Sequence, residues 1–274
     1  MLENLGNRAN VIIRRYGNKL IIIYDDHRWL LNVLFKFYKD NGGVAKYNIV
    51  TLDAHDDAAD CELHSEMLKH IGVRSLKDAT EKQFGAFVDF DIRNDDGNWL
   101  SVACELDLIN NSCTIGNRCV YNIEQRHNQY VSESGKQHHM FELSEDIEAE
   151  IGARGKLGDL AKTEEYKEIR AFFDCSHEKY IGDQMAPFIL DFDLDFFTIS
   201  LDDDLIAWPS KIWQKKFGYY SKGKLFIDSL INKAEVITIC REPDYCGSIG
   251  ESNKILEMLD TYFFKHQLGT ALPY

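Results

Sequence analysis

The chain has 274 residues, of which 45% are hydrophobic and 28% charged, and this is the composition of an ordinary soluble globular protein. Its length is sufficient for one large α/β domain or two small ones. The formal net charge of −14 argues against general binding to nucleic acids or anionic membranes, and it suits cationic ligands such as metal ions or arginine-containing substrates.

The first predicted elements alternate between strand and helix. Two β-branched runs, at residues 11–13 and 20–24, predict a hairpin or two successive strands around Gly17-Asn18. Apolar residues at helical spacing follow from Trp29 to Tyr38, and residues 47–52 form another apolar strand. This order predicts a βαβ unit with parallel strands.

The rest of the chain continues the alternation with less regular segments between. Residues 61–84 are predicted helical and residues 84–108 mixed, with a substrate-side loop at Asn98 and Trp99. Residues 201–218 are predicted to be irregular or short-helical, with a solvated helix start at the acidic run 202–204. The remaining predictions are strands at 120–123, 140–143, 188–197 and 235–240, a loop or lid at 144–156, and helices at 159–173, 225–234 and 252–266.

The cysteines and the N-terminal residues bear on location. The seven cysteines are scattered and include no CxxC pair, which indicates reduced intracellular thiols and not a disulfide framework or a zinc site. Residues 1–10 contain no long apolar core, so neither a signal peptide nor a membrane span is expected, and the protein is expected to be cytoplasmic. With no repeat or Ser/Gly-rich linker, one domain over residues 1–274 is the economical interpretation.

The strand at residues 188–197 carries three aspartates that alternate with apolar residues: Asp191, Asp193 and Asp195. A two-residue period places them on one face of the strand. Burying such carboxylates unpaired is costly, and a multivalent cation is the simplest way to stabilise them. The alternative is an exposed strand end with solvated carboxylates.

Polar clusters follow four of the predicted strands. They are residues 25–27, 53–57, 191–195 and 241–242. Because the carboxyl ends of parallel strands lie at one edge of a sheet, these clusters are expected to converge. Carboxylates and imidazoles without a thiolate motif suit a divalent ion such as Mn²⁺. The ligands exceed what one ion needs, so bridging aspartates are expected to hold two ions that activate a water for hydrolysis.

Three of these clusters resemble the motifs of the arginase and ureohydrolase family. Asp53-Ala54-His55-Asp56-Asp57 matches its Asp-Ala-His-x-Asp signature, Phe192-Asp193-Leu194-Asp195 resembles its Phe-Asp-x-Asp, and Asp26-His27 resembles its earlier Asp-His. Followed by Asp-Phe-Asp-Leu-Asp-Phe-Phe, the first motif is similar to an atypical branch that contains the peptide arginases. The resemblance implies a three-layer α/β/α fold with a central, mainly parallel sheet.

The resemblance also implies roles for individual residues. Two Mn²⁺ per chain would be held by His27 and Asp57 at the first site, His55 and Asp195 at the second, and Asp53 and Asp193 as bridges. Glu242 would receive the substrate guanidinium through bidentate hydrogen bonds. His64 and His70 are candidates for the proton shuttle, with His139 also possible. Asp191 and Asp56 are expected beside the ligands or in solvent, and Asp191 could orient a ligand imidazole.

Departures from the family pattern refine the expected substrate. Ile23-Tyr24-Asp25 replaces the usual Gly-Gly, and Phe196-Phe197-Thr198 replaces the usual Asp-Pro. The polar loop that holds the α-groups of free arginine has no clear counterpart after Asp57, where Ala58-Ala59-Asp60-Cys61 follows. This favours a substrate whose α-groups are in peptide bonds. We therefore expect a peptide arginase that converts arginine side chains of a precursor peptide to ornithine and releases urea.

Three alternatives remain open from the sequence. The first is a ureohydrolase of free arginine or another small guanidino compound, and the second is a zinc-dependent amide deacetylase. Since the deacetylases use one metal, the additional pair of His27 and Asp57 argues against that alternative. The third is a metal-stabilised peptide-binding protein without catalysis. No nucleic-acid or membrane partner is expected, and the oligomeric state stays open.

Overall fold

The computed structural model describes residues 11–92, 97–116, 127–143, 187–201, 204–219 and 221–269. The strands in these residues are Ile12–Tyr16 (β1), Lys19–Tyr24 (β2), Asn48–Leu52 (β3), Ser112–Ile115 (β4), His127–Val131 (β5), Gln137–Leu143 (β6), Phe188–Asp193 (β7), Thr198–Leu201 (β8), Asp204–Ala207 (β9) and Val236–Cys240 (β10). The α-helices are Trp29–Asp40 (α1), His64–Ile71 (α2), Glu81–Phe90 (α3), Trp99–Glu105 (α4), Ser210–Phe217 (α5), Lys222–Lys233 (α6) and Ile249–Leu259 (α7).

Eight of the strands form one sheet in the order β1-β2-β10-β7-β3-β4-β6-β5. The six strands from β2 to β6 in this order are parallel to their neighbours, and β1 and β5 pair antiparallel at the two edges. The remaining two strands, β8 and β9, form a separate antiparallel ribbon. The mainly parallel central sheet is therefore confirmed, as is the predicted hairpin, which turns at Gly17 with φ of 59°.

Helices cover both faces of this sheet. On one face, Leu34 of α1, Phe84 of α3 and Leu100 of α4 are buried in one apolar cluster. On the other face, Trp213 of α5 and Leu256 of α7 belong to a second apolar cluster. The side chains of each central strand alternate between the two clusters, which is the pattern of a strand buried on both faces. The predicted three-layer α/β/α architecture is thus confirmed.

Several local predictions differ from the structure. The mixed segment after Phe84 begins as helix α3, whose capping box at Thr80 and Gln83 satisfies the first free backbone amides. Asp204 pairs with Leu201 across the β8–β9 ribbon, so the predicted helix start is wrong at this residue. The predictions for residues 120–123, 144–156, 159–173, 202 and 203 lie outside the described residues.

Helix α2 is shorter than predicted, because Gly72 takes up a left-handed conformation with φ of 79° and ends it. The predicted C-terminal helix begins at Ile249, and after Leu259 it continues into a π-helical turn, Asp260–Phe264. No helix within the described residues combines the length and the apolar character that crossing a membrane requires.

Candidate metal centre

The strand register brings the predicted ligands to one place. Asp191 of β7 lies level with Thr51 of β3 and Thr238 of β10, and Asp193 lies level with Cys240. Since alternate residues of a strand point to the same face, these side chains project together with that of Asp53, which follows β3. The face is the one that α1 to α4 cover, and the position is the carboxyl edge of the parallel strands.

Asp191 fixes the orientation of His27. Its Oδ2 lies 2.8 Å from His27 Nε2, and both residues are fully buried. The same carboxylate accepts hydrogen bonds from the hydroxyls of Tyr24, Thr51 and Thr238. With Nε2 held in this way, the other ring nitrogen, Nδ1, faces the carboxylates of the centre. Such carboxylate–histidine pairs are typical of metal-binding histidines, and they agree with the prediction that Asp191 orients an imidazole.

The first group of candidate ligands surrounds His27 Nδ1. This atom lies 2.9 Å from Asp193 Oδ2, 3.0 Å from Asp57 Oδ2 and 3.7 Å from Asp53 Oδ2. One ligand atom from each of the four residues falls within 4.8 Å of the others. The indole of Trp99 donates a hydrogen bond to Asp57 Oδ2, and its ring centroid lies 4.6 Å from that of His27. Trp99 therefore contacts two of the candidate ligands, Asp57 and His27.

The second group consists of Asp53, His55 and Asp195. His55 Nδ1 lies 2.8 Å from Asp195 Oδ2 and 3.9 Å from Asp53 Oδ1. Asp195 is held by the backbone amide of Ala54, which donates to its Oδ1. Asp53 belongs to both groups, as the bridging prediction requires, whereas Asp193 lies in the first group and not in the second.

The carboxylates of the centre repel one another in a buried environment. Burial raises the pKa of Asp53 well above its usual value, and the charges of Asp57 and Asp193 raise it further. Burial together with the charge of Asp195 raises the pKa of Asp193 to about 7. The pKa of Glu242 is also well above its usual value, through burial and the charge of Asp193. A cation between these groups would relieve the repulsion.

The imidazoles respond to the same negative field. Burial lowers the pKa of His27, but the Asp191 and Asp193 carboxylates outweigh it and hold this pKa well above its usual value. The hydrogen bond to Asp195 raises the pKa of His55 to about 9 against the opposing effect of burial. The negative charge that raises these two pKa values would also attract a metal ion, so both histidines are suited to bind a cation.

Unsatisfied polar atoms provide the test of whether a metal fits. Within the described residues, few buried side-chain atoms lack a hydrogen-bond partner, and four of these belong to the centre: His27 Nδ1, Asp53 Oδ2, Asp195 Oδ2 and Glu242 Oε1. Buried polar atoms are normally satisfied. Two of these atoms nevertheless lie in close ion pairs, His27 Nδ1 with Asp193 and Asp195 Oδ2 with His55, whereas Asp53 Oδ2 and Glu242 Oε1 have no partner within 3.5 Å. Nitrogen and carboxylate oxygen atoms that converge in this way are the donor set of a divalent cation, and the residues therefore fit a divalent metal ion.

Glu242 and Asp57 hold unusual backbone conformations, with φ of 33° and 48°. Residues other than glycine rarely adopt positive φ, and such strain is concentrated at functional sites. The alternative partner of Glu242 in the sequence is the adjacent Arg241, but this guanidinium binds Asp25. The carboxylate of Glu242, 5% exposed, is thus directed to the centre, with Oε1 3.9 Å from His27 Nδ1.

Asn98 and Trp99, which the sequence predicts to form a substrate-side loop, lie at the start of helix α4. Both side chains are buried, and Trp99 contacts the ligands and not an open surface. Asn98 lines a cavity of about 270 Å³ together with Asp60, Cys61 and Asp91. The structure gives Trp99 a supporting position, and a substrate contact by Asn98 stays a prediction.

The candidate shuttle histidines are engaged outside the ligand groups. His64 Nδ1 lies 2.8 Å from the carbonyl oxygen of Glu105, and His70 Nδ1 lies 3.4 Å from Glu62. His139 follows His138 in β6, and its amide donates to Asn111 at the amino end of β4. Because the centre lies at the carboxyl edge, His139 is at the opposite end of the sheet. Asp56 is exposed and belongs to none of the groups.

Sequence reasoning missed several residues of the centre. Cys240 forms a further group with His27, Asp193 and Glu242. The ring of Tyr245 lies 6.0 Å from that of His55, on the turn that begins at Glu242. The alternation along β10 was the signal for Cys240, since it follows Thr238 by two residues.

Comparisons with known proteins give little beyond this geometry. No protein-family model and no curated protein matches the sequence. Among solved structures, proclavaminate amidino hydrolase from Streptomyces clavuligerus is similar, with a TM-score of 0.44 and 14% sequence identity. The match covers 92% of this chain and 64% of the other chain, so this chain spans less than two thirds of that protein's length.

Proposed function

We propose that the protein is a binuclear metal hydrolase of guanidino groups, which converts arginine side chains of a peptide to ornithine and releases urea. The observation that carries the proposal is the sharing of Asp53 between two ligand groups, one built on His27 and the other on His55. A shared carboxylate between adjacent groups is the arrangement that holds two ions close together. The motifs of the sequence that resemble those of ureohydrolases agree with this arrangement.

The residues of the centre have separate tasks in this proposal. His27, Asp57 and Asp193 would hold one ion, His55 and Asp195 would hold the other, and Asp53 would serve both. When bound, the two ions supply Lewis acidity and lower the pKa of a water so that it is a nucleophile at neutral pH. Oxygen and nitrogen donors dominate both groups, which favours Mn²⁺ over softer metals.

Glu242 orients the substrate. Its carboxylate can accept two parallel hydrogen bonds from a planar guanidinium, which fixes the guanidinium carbon relative to the ions. The backbone turn from Glu242 to Cys246 is closed by amide hydrogen bonds, and it positions the carboxylate at the carboxyl end of β10. The strained φ of Glu242 agrees with a position selected for function rather than for local stability.

Access to the centre is on the side of His55. Its side chain is 47% exposed, whereas the side chain of His27 is fully buried. We therefore place the entry of the substrate, and solvent that can protonate the departing amine, beside His55 and Tyr245. Proton transfer by His64 or His70 stays a prediction, and neither ring is among the residues of the ligand groups.

The segment after Asp57 favours a peptide substrate. Free arginine carries an α-carboxylate and an α-ammonium group, and a site selective for it must satisfy both. Ala58 and Ala59 offer no side-chain hydrogen bonds there, and the amide of Ala59 is already used by the carbonyl of Gly97. A peptide substrate has no such charges to satisfy, so this segment suits arginine within a chain.

The test is incubation of the Mn²⁺-loaded protein with an arginine-containing peptide and, separately, with free arginine. The proposal expects release of urea and, by mass spectrometry, replacement of a guanidino group by an amine in the peptide. Asp53→Asn should abolish both signals, and Asp56→Asn, which alters an exposed carboxylate outside the groups, should leave them unchanged.

The other outcomes select the alternatives. Urea from free arginine alone indicates a small-molecule ureohydrolase. A single zinc per chain, with hydrolysis of acetylated amines and no urea, indicates the deacetylase chemistry. A peptide that binds without any change of mass indicates a metal-stabilised binding protein. A panel of peptides with arginine in different contexts prevents one unsuitable sequence from deciding the result.

A further inference from the structure

A third ligand group lies beside the proposed pair of metal sites. His27, Asp193, Cys240 and Glu242 each offer one ligand atom within 4.8 Å of the others. All four residues are buried, and His27 Nδ1 and Glu242 Oε1 have no hydrogen-bond partner. The group contains the thiol that the sequence analysis did not connect with the centre.

The register of the sheet places this thiol close to the ligands. Cys240 is the last residue of β10 and lies level with Asp193 on one side and Tyr24 on the other. Its side chain shares a face with Thr238, which contacts Asp191. Because β10 is a central strand buried on both faces, its register fixes the face of the sheet on which the thiol of Cys240 lies.

The third group and the first group compete for the same atoms. His27 Nδ1 is 2.9 Å from Asp193 and 3.9 Å from Glu242, and it also faces Asp57 at 3.0 Å. An ion bound to His27 and Asp193 thus has two sets of further ligands within reach, Asp53 with Asp57 and Cys240 with Glu242.

We propose that the centre has a second metal-binding mode, in which a thiophilic cation such as Zn²⁺, Co²⁺ or Cd²⁺ is bound by His27, Asp193, Cys240 and Glu242. The thiol of Cys240 loses its proton to solvent and its sulfur bonds to the ion, with no change of oxidation state. Thiolate is a soft ligand that selects such ions, whereas Mn²⁺ prefers the carboxylates of Asp53 and Asp57.

The spacing of the group suits four-coordinate binding. Metal–nitrogen and metal–sulfur bonds of about 2.0–2.3 Å place the donors of a tetrahedral site roughly 3.3–3.8 Å apart. The separations of 2.9 Å and 3.9 Å between His27 Nδ1 and its two carboxylate partners lie just outside the two ends of this range. All the other separations in the group are within 4.8 Å.

The second mode has a functional consequence that rests on the proposed function. An ion bound to Glu242 occupies the carboxylate that would otherwise receive the guanidinium. Thiophilic cations are then inhibitors of the Mn²⁺ enzyme, and they act by blocking the substrate position as well as by displacing Mn²⁺.

The test does not depend on activity. Metal-free full-length protein is titrated with Cd²⁺ and with Co²⁺, and the near-ultraviolet absorption of thiolate-to-metal charge transfer is recorded. The wild type should develop the band, and Cys240→Ser should lose it. Cys104→Ser, which changes another buried cysteine, in α4 and outside the group, should keep it.

X-ray absorption on the wild type covers the case in which Cys240→Ser fails to fold. The Zn²⁺-loaded protein should show one sulfur neighbour at about 2.3 Å, and the Mn²⁺-loaded protein should show oxygen and nitrogen neighbours alone. A charge-transfer band that persists in Cys240→Ser, or bound Zn²⁺ without a sulfur neighbour, overturns the second mode. Neither result affects the proposed hydrolysis of guanidino groups, which the urea assay tests separately.

Discussion

Asp191 Oδ2 lies 2.8 Å from Nε2 of His27, and the two residues are fully buried next to the candidate ligands. The carboxylate has three further hydroxyl donors, so its position is fixed by strands on both sides. His27 in turn has a fixed ring plane, and its Nδ1 is directed to the ligands. The orientation of the first metal site therefore depends on a residue that does not itself belong to any ligand group.

We expect Asp191→Asn to weaken binding of the first ion about 10–100-fold, because an amide neither holds the imidazole as firmly nor raises its basicity as a carboxylate does. Competition between the protein and a calibrated chelator measures the change. Tyr24→Phe removes one of the donors to Asp191 and leaves the contact with His27, so its effect should be much smaller. Equal losses in the two variants would mean that the hydroxyl network, and not the contact with His27, sets the affinity.

The shared position of Asp53 makes metal content a direct test of the two-ion arrangement. Asp53→Asn should lose both ions, whereas Asp195→Asn should lose the ion beside His55 and keep the ion beside His27. Elemental analysis gives the metal content, and loss of spin coupling between the two Mn²⁺ ions in electron paramagnetic resonance spectra reports on the pair. Asp56→Asn is the matched control. If Asp195→Asn retained a coupled pair, the assignment of the second site would be wrong.

The buried charges predict how the stability of the metal-free protein depends on pH. The pKa of Asp193 is raised to about 7 from its usual 3.8, so between about pH 4 and pH 7 the folded state binds more protons than the unfolded state. Stability must then fall as the pH rises through this range. The pKa of His55, raised to about 9 from 6.5, continues the fall at higher pH, since the unfolded imidazole has already lost its proton.

Thermal unfolding in the presence of a chelator, from pH 5 to pH 8, measures this fall as a decreasing Tm. Asp193→Asn removes one titrating carboxylate and should make the decrease shallower. It should also lose metal and activity together. With Mn²⁺ in excess the slope should reverse, because metal binding requires deprotonated ligands and strengthens as the pH rises. A metal-free Tm that increases over this range would show that the pKa values of the carboxylates are not raised in the folded state.

The sequence predicts the centre well where its residues are close in the chain and follow strands. The motif at residues 53–57 and the aspartates at positions 193 and 195 identify most of the ligands, because strand ends in a parallel sheet must converge. The sequence does not predict residues that come together only through packing between elements distant in the chain. Cys240 joins the centre through strand register, for which the alternation along β10 is the only sequence signal, and Trp99 joins it through packing against Asp57 and His27. Asp193 and Asp195 were expected on one strand face, but β7 ends at Asp193 and a 3₁₀ turn carries Asp195 towards His55.

Glu242→Gln separates the binding of substrate from the binding of metal. An amide cannot accept both hydrogen bonds of a guanidinium, and loss of a buried charged partner of this kind lowers kcat/KM by roughly 100-fold or more. In the Mn²⁺ protein the metal content should be unchanged, because Glu242 shares no group with Asp53 or Asp57. In the Zn²⁺ or Cd²⁺ protein the same variant should weaken metal binding, since Glu242 is then a ligand.

Asp244→Asn, which changes an exposed carboxylate on the same turn, is the control for both measurements. If Glu242→Gln removed Mn²⁺ as readily as it removed Cd²⁺, the carboxylate would be a ligand in every state, and the guanidinium would have to be held by another residue.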